Sequence, residues 1–340
     1  MRSRSRRARG RLRRVLVRLG VAAAVLAVSA VGLAVWRADS YDRRIQRLPE
    51  ALPSRAAPPA AAEAGQNWLL LGSDLRGVPA RDKWRPGGRA RADTIMVLHL
   101  PPDERHAYVI SIPRDLWTDI PGHPRAKINA AFAHGGPRLM AQTVQQLAGI
   151  RLDHVVAVDF AGFARMTDAL GGVDIYLDAP IHDPSNGWSW PAGRNHLDGA
   201  RALRFVRERK GLSGSDLDRV RRQHAFLRAM AAKAVDGGTL RNPVKLDAFL
   251  RAASESVAVD DRTGLGTLRS LALRLARIGP DRVTFATLPT GPSAWIGGQN
   301  VLLPDPRRGR ELFAALAAGR LREHVRRNGL ATEIDLSRPS

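Results

Sequence analysis

The 340-residue chain contains no cysteine, which excludes disulfide bridges, thiolate zinc sites and a cysteine nucleophile. It has no H-E-x-x-H pair, no G-x-x-x-x-G-K-[ST] loop and no G-x-S-x-G elbow. Those absences argue against a zincin, a P-loop nucleotidase and a serine hydrolase. Aromatics make up only 5% of residues, few for a protein that stacks on nucleic-acid bases. Lysine is scarce as well, with five of the 54 basic residues and arginine supplying the rest. A GC-rich genome would produce that bias by itself, so only arginines clustered at particular spacings carry meaning.

What the chain does have is positive charge. The formal net charge is +22, and the first 20 residues contribute nine arginines and no acid. About +13 remains for the rest, which calls for an acidic partner such as nucleic acid, anionic lipid or a phosphorylated substrate. The arginine tail at 1–18 runs into an apolar stretch at 19–36 whose core, Val21 to Val35, has no charge. About 18 to 20 apolar residues at 1.5 Å each just span a hydrocarbon core of about 30 Å. The stretch is read as a single transmembrane helix with Trp36 and Tyr41 at its outer interface. The positive-inside rule then keeps the tail cytoplasmic and the remainder extracytoplasmic. A cleaved signal peptide, ending near Val28-Ser29-Ala30, is the alternative. A DNA-binding arm is disfavoured because the tail leads directly into the apolar stretch.

Residues 37–66 include a Pro/Ala-rich segment that reads as a semi-extended spacer. A globular domain is expected over 67–322, with a loosely ordered tail at 323–340. Strands are expected at 67–72, 94–100, 106–112, 153–158, 173–177 and 283–288, from apolar runs closed by turn residues. Helices are expected at 137–148, 160–170, 197–207, 216–235, 243–259, 265–278 and 306–318. Strands alternating with helices predict an α/β fold, a central mixed β-sheet covered by helices on both faces.

Four polar clusters lie at the ends of apolar elements, where sites of α/β folds gather. Asp93 opens one strand and Arg114-Asp115 close the next. Antiparallel pairing of these neighbours would bring Asp93 and Asp115 together, and two carboxylates suit Mg²⁺ with water and phosphate as further ligands. A turn cap and a surface ion pair are the plainer alternative. Lys127-Ile-Asn129 offers a cation and a neutral donor at a helix start. In the fourth cluster Arg207 and Arg209 end one helix, and Arg219, Arg222 and Gln223 stand at i, i+3 and i+4 of the next. Guanidinium forks match phosphate oxygens in pairs, so the group reads either as a diphosphate clamp or as a solvated charged helix.

From Asn67 to Lys233 these segments resemble the LytR-CpsA-Psr family. The marks are Asn67-Trp-Leu-Leu-Leu-Gly-Ser-Asp74, Arg91-Ala-Asp-Thr94, Ser111-Ile-Pro-Arg-Asp115 and Lys127-Ile-Asn-Ala-Ala131, in that order. They continue through Asp168-Ala-Leu-Gly-Gly-Val-Asp174, Leu197-Asp-Gly-Ala-Arg-Ala-Leu203, Phe205-Val-Arg-Glu-Arg209 and Ser215-Asp-Leu-Asp-Arg219 to Arg222-Gln223. The resemblance implies a membrane-bound phosphotransferase that moves a glycopolymer from a polyprenyl-pyrophosphate carrier to peptidoglycan. It implies Mg²⁺ on Asp93 and Asp115, and pyrophosphate contacts from Arg114, Lys127, Arg207, Arg209, Arg219 and Gln223. His224 stands where the family often has a second glutamine, and Phe205 where tyrosine is common. A non-catalytic sensor of lipid-linked intermediates, or a polyprenyl-pyrophosphate hydrolase, would use the same residues.

Overall fold

A computed structural model describes residues 37–331 apart from 38, 53–64, 75–83, 85–90, 209–214, 237 and 240–241. The stretches expected to form the basic tail (1–18) and the transmembrane helix (19–36) lie outside the described residues, as does Arg209. Among the described residues no helix is long and apolar enough to cross a membrane. Contacts divide the chain at Arg44. In the first unit the described residues hold a short helical segment with an Arg43–Asp39 ion pair.

The second unit begins at Ile45. Its first elements are β1 (Gln46–Leu48), β2 (Gln66–Ser73), β3 (Ala92–Leu100), β4 (Ala107–Ser111), β5 (Trp117–Ile120), β6 (His123–Lys127) and α1 (Asn129–Ala148). There follow β7 (His154–Asp159), α2 (Phe160–Ala169), β8 (Val173–Leu177), β9 (Ile181–Asp183), β10 (Trp188–Trp190), β11 (Gly193–Leu197), α3 (Gly199–Arg207) and α4 (Ser215–Asp236). The remainder is α5 (Pro243–Ser256), β12 (Val257–Asp260), α6 (Leu265–Ile278), β13 (Val283–Thr287), β14 (Thr290–Ile296), β15 (Gln299–Pro304), α7 (Pro306–Ala317) and α8 (Leu321–Arg327).

Seven strands make one mixed sheet in the order β1-β12-β7-β2-β3-β4-β13. Its core strands are apolar at consecutive positions because both faces are covered. Leu69, Leu71, Ile95, Val97 and Ile110 point to one face, against Met140 and Val144 of α1 and Leu312 and Leu316 of α7. Trp68, Met96, Leu98 and Val109 point to the other, against Ile278 and Leu275 of α6 and Leu227 of α4. A satellite core joins the hairpin strands to α3 and α4 through Ile175, Trp190, Phe205 and Phe226. The expected sheet with helices on both faces is therefore present in the second unit.

Several boundaries differ from expectation. β1 pairs in parallel with β12 inside the stretch read as spacer, so the sheet begins upstream of Asn67. The helix expected to run to Val259 stops at Ser256, because Val257-Ala-Val-Asp260 is a β-branched run that fits between β1 and β7. The tail expected to be loose from 323 contains α8, whose Leu321 and Val325 are buried; residues 332–340 lie outside the description. α1 starts eight residues earlier than the expected Pro137 but breaks at Gly135-Gly136. Gly136 has φ +59°, a conformation that a side chain would strain, and Pro137 restarts the helix without needing an N–H partner.

Two buried histidines make the fold acid-sensitive. His99 Nδ1 meets Asn67 Oδ1 at 2.8 Å, and His224 Nε2 meets Ser111 Oγ at 2.6 Å. Burial lowers His99 from 6.5 to about 4, against the opposing charge of Asp153, and lowers His224 to about 3. Both are neutral in the fold and take up protons on unfolding, so stability falls as pH drops below about 6.5 and continues to fall until the folded values are reached. Around pH 5 each histidine adds about 1.4 kcal/mol per pH unit to that slope. Urea unfolding between pH 5 and 7 should show His224→Gln losing one histidine's share of the slope; an unchanged slope would mean that His224 titrates normally.

Candidate functional site

The site forms where β2, β3 and β7 end or begin together. β2 and β3 are antiparallel with Gly72 opposite Thr94, and β3 and β4 are antiparallel with Met96 opposite Ser111. This register brings Asp93, at the start of β3, beside Arg114 and Asp115 just past β4. The Arg114 guanidinium bonds the Asp93 carboxylate, and its Nε lies 3.6 Å from Asp115. Lys127, at the end of β6, reaches Asp115 Oδ1 at 3.0 Å. The expected convergence of the two aspartates is thus mediated by a cation between them.

Backbone bonds hold this corner. Asn129 N donates to Arg114 O at 3.2 Å, Ile128 N to Leu116 O at 2.8 Å, and Leu302 N of β15 to Asp115 O at 2.9 Å. Asn129 is buried, so what it supplies here is a backbone donor.

The second half of the site comes from α3 and α4. Asp198 caps α3 through Arg201 N, and Asp168 Oδ1 accepts from Gly199 N at 2.7 Å. Gly199 lets α3 lie against α2: a Cβ there would sit 2.2 Å from the Ala164 carbonyl oxygen. Gly199→Ala should therefore lose about 1–3 kcal/mol in urea unfolding, since backbone must move; wild-type stability would mean that the helix pair is loose.

Arg207, at the C-terminal end of α3, is held by Asp74 Oδ2 at 3.2 Å and lies over the Phe160 ring, 4.8 Å from its centroid. Gln223 Nε2 donates to Val206 O at 3.4 Å and ties α4 to α3. Arg222 is turned toward the backbone carbonyl of Glu208. Around a helix axis it stands about 60° to one side of Arg219, whereas Gln223 stands about 40° to the other.

Asp93, Arg114, Arg207, Arg219 and Gln223 all line one cavity of about 530 Å³. Asp115, Lys127 and Arg222 do not line it. Asp115 and Lys127 stand next to Arg114, and Arg222 acts within the protein. Asp159 and Glu208 line the cavity as well, and much of the remaining wall is apolar, with Leu70 and Val156 from the sheet, Phe163 and Met166 from α2, and Phe226 and Met230 from α4. The β9–β10 hairpin adds Asp183, Asn186 and Trp188. The Asn186 amide, 2.5 Å from Asp183, is the main cause holding that carboxyl below its ordinary value. Among the described residues no three acids or histidines gather as a self-sufficient metal site.

Sequence reading missed Asp74, Phe160 and the hairpin. Asp74 closes the first apolar run and Phe160 opens α2, so end-of-element position was the available signal for both. The short strands at 181–190 carry no alternation long enough to read.

The sequence and the fold have known relatives. LcpB of Corynebacterium glutamicum, a probable cell wall biosynthesis protein, is 38% identical over 307 residues, covering 88% of this chain and 71% of LcpB. TagU of Bacillus mycoides, a polyisoprenyl-teichoic acid–peptidoglycan teichoic acid transferase, is 35% identical over 51% of this chain and 53% of its own. The solved LytR-Csp2A-Psr enzyme of Actinomyces oris superposes with a TM-score of 0.63 at 26% identity, over 81% of this chain and 96% of that one. The sequence pattern of the LytR_cpsA_psr family matches residues 38–317, a span that contains every described element of the sheet and of the cavity, and the chain belongs to that family.

Proposed function

We propose that the protein transfers a phosphate-linked glycopolymer from a polyprenyl-pyrophosphate carrier to a peptidoglycan hydroxyl, at the outer face of the cell membrane. The observation that carries this reading is the mixed cavity: Arg114, Arg207 and Arg219 line it together with Asp93, Asp159, Asp183 and Glu208, and most of the remaining wall is apolar. A diphosphate head joined to an isoprenoid tail is likewise part charged and part apolar. The transferase relative and the cell-wall relative point the same way.

In the proposed reaction the acceptor oxygen bonds to the glycan-bearing phosphorus as the bridging bond to the carrier phosphate breaks. The glycan leaves with its phosphate as a phosphodiester, and polyprenyl monophosphate departs. The acceptor proton passes to a carboxylate of the Asp93/Asp115 pair. Arg207, already oriented by Asp74 and Phe160, binds the diphosphate oxygens, with Arg114, Arg219 and Gln223 beside it and Arg209 on the connection between α3 and α4. Lys127 acts through Asp115, holding that carboxylate in place. Arginines fixed before substrate arrives lower the barrier without reorganising during the reaction.

The donor chemistry fits Mg²⁺: Asp93 and Asp115 offer hard carboxylate oxygens on both sides of Arg114, and substrate oxygens and water would complete the set. When bound, the ion would neutralise charge on the departing phosphate. The experiment that tests the substrate is mass spectrometry of lipid extracted from the detergent-purified full chain. Polyprenyl phosphate or pyrophosphate near one per protein is expected; phospholipid alone would contradict the reading.

A further inference from the structure

The helix α4 measures the cavity. Arg219, Gln223, Phe226 and Met230 line it in sequence, at successive steps of four, three and four residues along one face of the helix. Lys233 is the next position on that face, about 21 Å from Arg219 at 1.5 Å per residue. The stripe thus runs from the phosphate end, through apolar wall, to a second cation at the opposite end.

Lys233 is not alone there. Its Nζ lies 3.5 Å from Asp174 Oδ2, and the same carboxylate takes Arg194 at 3.2 Å and His196 at 2.9 Å. Asp174 and His196 are cross-strand partners in β8 and β11, and Arg194 is two residues along β11. Two permanent cations, Lys233 and Arg194, share one acid with the His196 ring, so the cluster keeps a positive surplus. The Arg194 and His196 side chains are 76% and 57% exposed. None of these residues lines the cavity.

We propose that Lys233, Arg194 and His196 form a docking surface for the anionic phospholipid headgroups of the membrane, placed where the apolar cavity ends. The proposal rests on the lipid-carrier reading above. A carrier whose head is at Arg207 and whose tail leaves past Met230 re-enters the bilayer beside these cations. Basic side chains at such an exit hold the domain with its lipid opening toward the headgroup layer. The surplus charge complements phosphatidylglycerol.

The absence of cysteine makes the test clean. Full chain carrying Ala231→Cys, exposed on α4 two residues before Lys233, or Ala317→Cys, exposed on α7 across the sheet, is labelled with a fluorophore. Each is incorporated into nanodiscs containing phosphatidylglycerol or only phosphatidylcholine, with a headgroup quencher. Quenching at 231 should exceed that at 317 at least twofold, only with anionic lipid. In Arg194→Gln/Lys233→Gln, headgroup contact should weaken by about fivefold per charge removed. Equal quenching at the two labels, or quenching indifferent to lipid charge and to the double variant, overturns the proposal. So does protection of position 231 by soluble poly(glycerol phosphate) without protection by bilayers. If no polyprenyl phosphate co-purifies, the substrate reading fails, while the quenching result still reports on docking.

Discussion

Asp93→Ala should reduce glycopolymer transfer by at least about 10²–10³-fold, the scale seen when one preorganised charge-stabilising group is lost at a reacting phosphate or oxyanion. Stability should change little. The Asp93 and Arg114 side chains are 23% and 18% exposed, and Arg114 keeps Asp115 at 3.6 Å. A partly exposed pair of this kind is worth within about 1 kcal/mol. Lipid retention should persist, because Arg207 and Arg219 are untouched. The measurement is transfer of a lipid-linked glycan to a peptidoglycan fragment, alongside thermal unfolding. If Asp93→Ala transfers normally but melts much earlier, the aspartate is only Arg114's structural partner.

Arg207→Ala should weaken binding of a polyprenyl pyrophosphate by about 1.5–3 kcal/mol, roughly 10- to 150-fold. The guanidinium is pre-oriented by Asp74 and by the Phe160 ring, so its loss removes an ordered donor. Its removal leaves Asp74 unpaired by Arg207, which adds charge repulsion toward the diphosphate. Arg222→Ala offers the contrast: Arg222 bonds the Glu208 carbonyl and does not line the cavity. It should cost stability first and lipid affinity second. Isothermal titration and unfolding of both variants check the pair. The clamp is contradicted if Arg207→Ala binds like wild type.

The contrast between Arg207 and Arg222 also shows how far sequence reading reaches. The mixed sheet and most helices are legible because their apolar runs are long and their ends carry turn residues. Asp93 and Arg114 follow from antiparallel neighbours, a local relation. Arg222 was not separable from Arg219 by spacing, because i and i+3 share a broad face and only tertiary packing decides which position meets the cavity. Long-range placements were invisible for the same reason. Leu302 supports Asp115 from a hairpin nearly 190 residues away, and β1 joins the sheet through β12 across an even longer separation. The cavity itself is a product of packing: periodicity alone does not separate Phe163, Met166 and Phe226 from ordinary core, and only the placement of the sheet and α2–α4 leaves a gap between them.

The most direct test of the central claim is transfer by the purified full chain in membranes, from a radiolabelled lipid-pyrophosphate-linked glycan to peptidoglycan, with Mg²⁺ and with chelator. The account predicts a phosphodiester-linked product and equimolar polyprenyl monophosphate with Mg²⁺, and neither with chelator. Tight lipid binding without product would identify a sensor, free glycan phosphate without peptidoglycan product would identify a hydrolase, and full transfer in chelator would contradict the Mg²⁺-dependent mechanism.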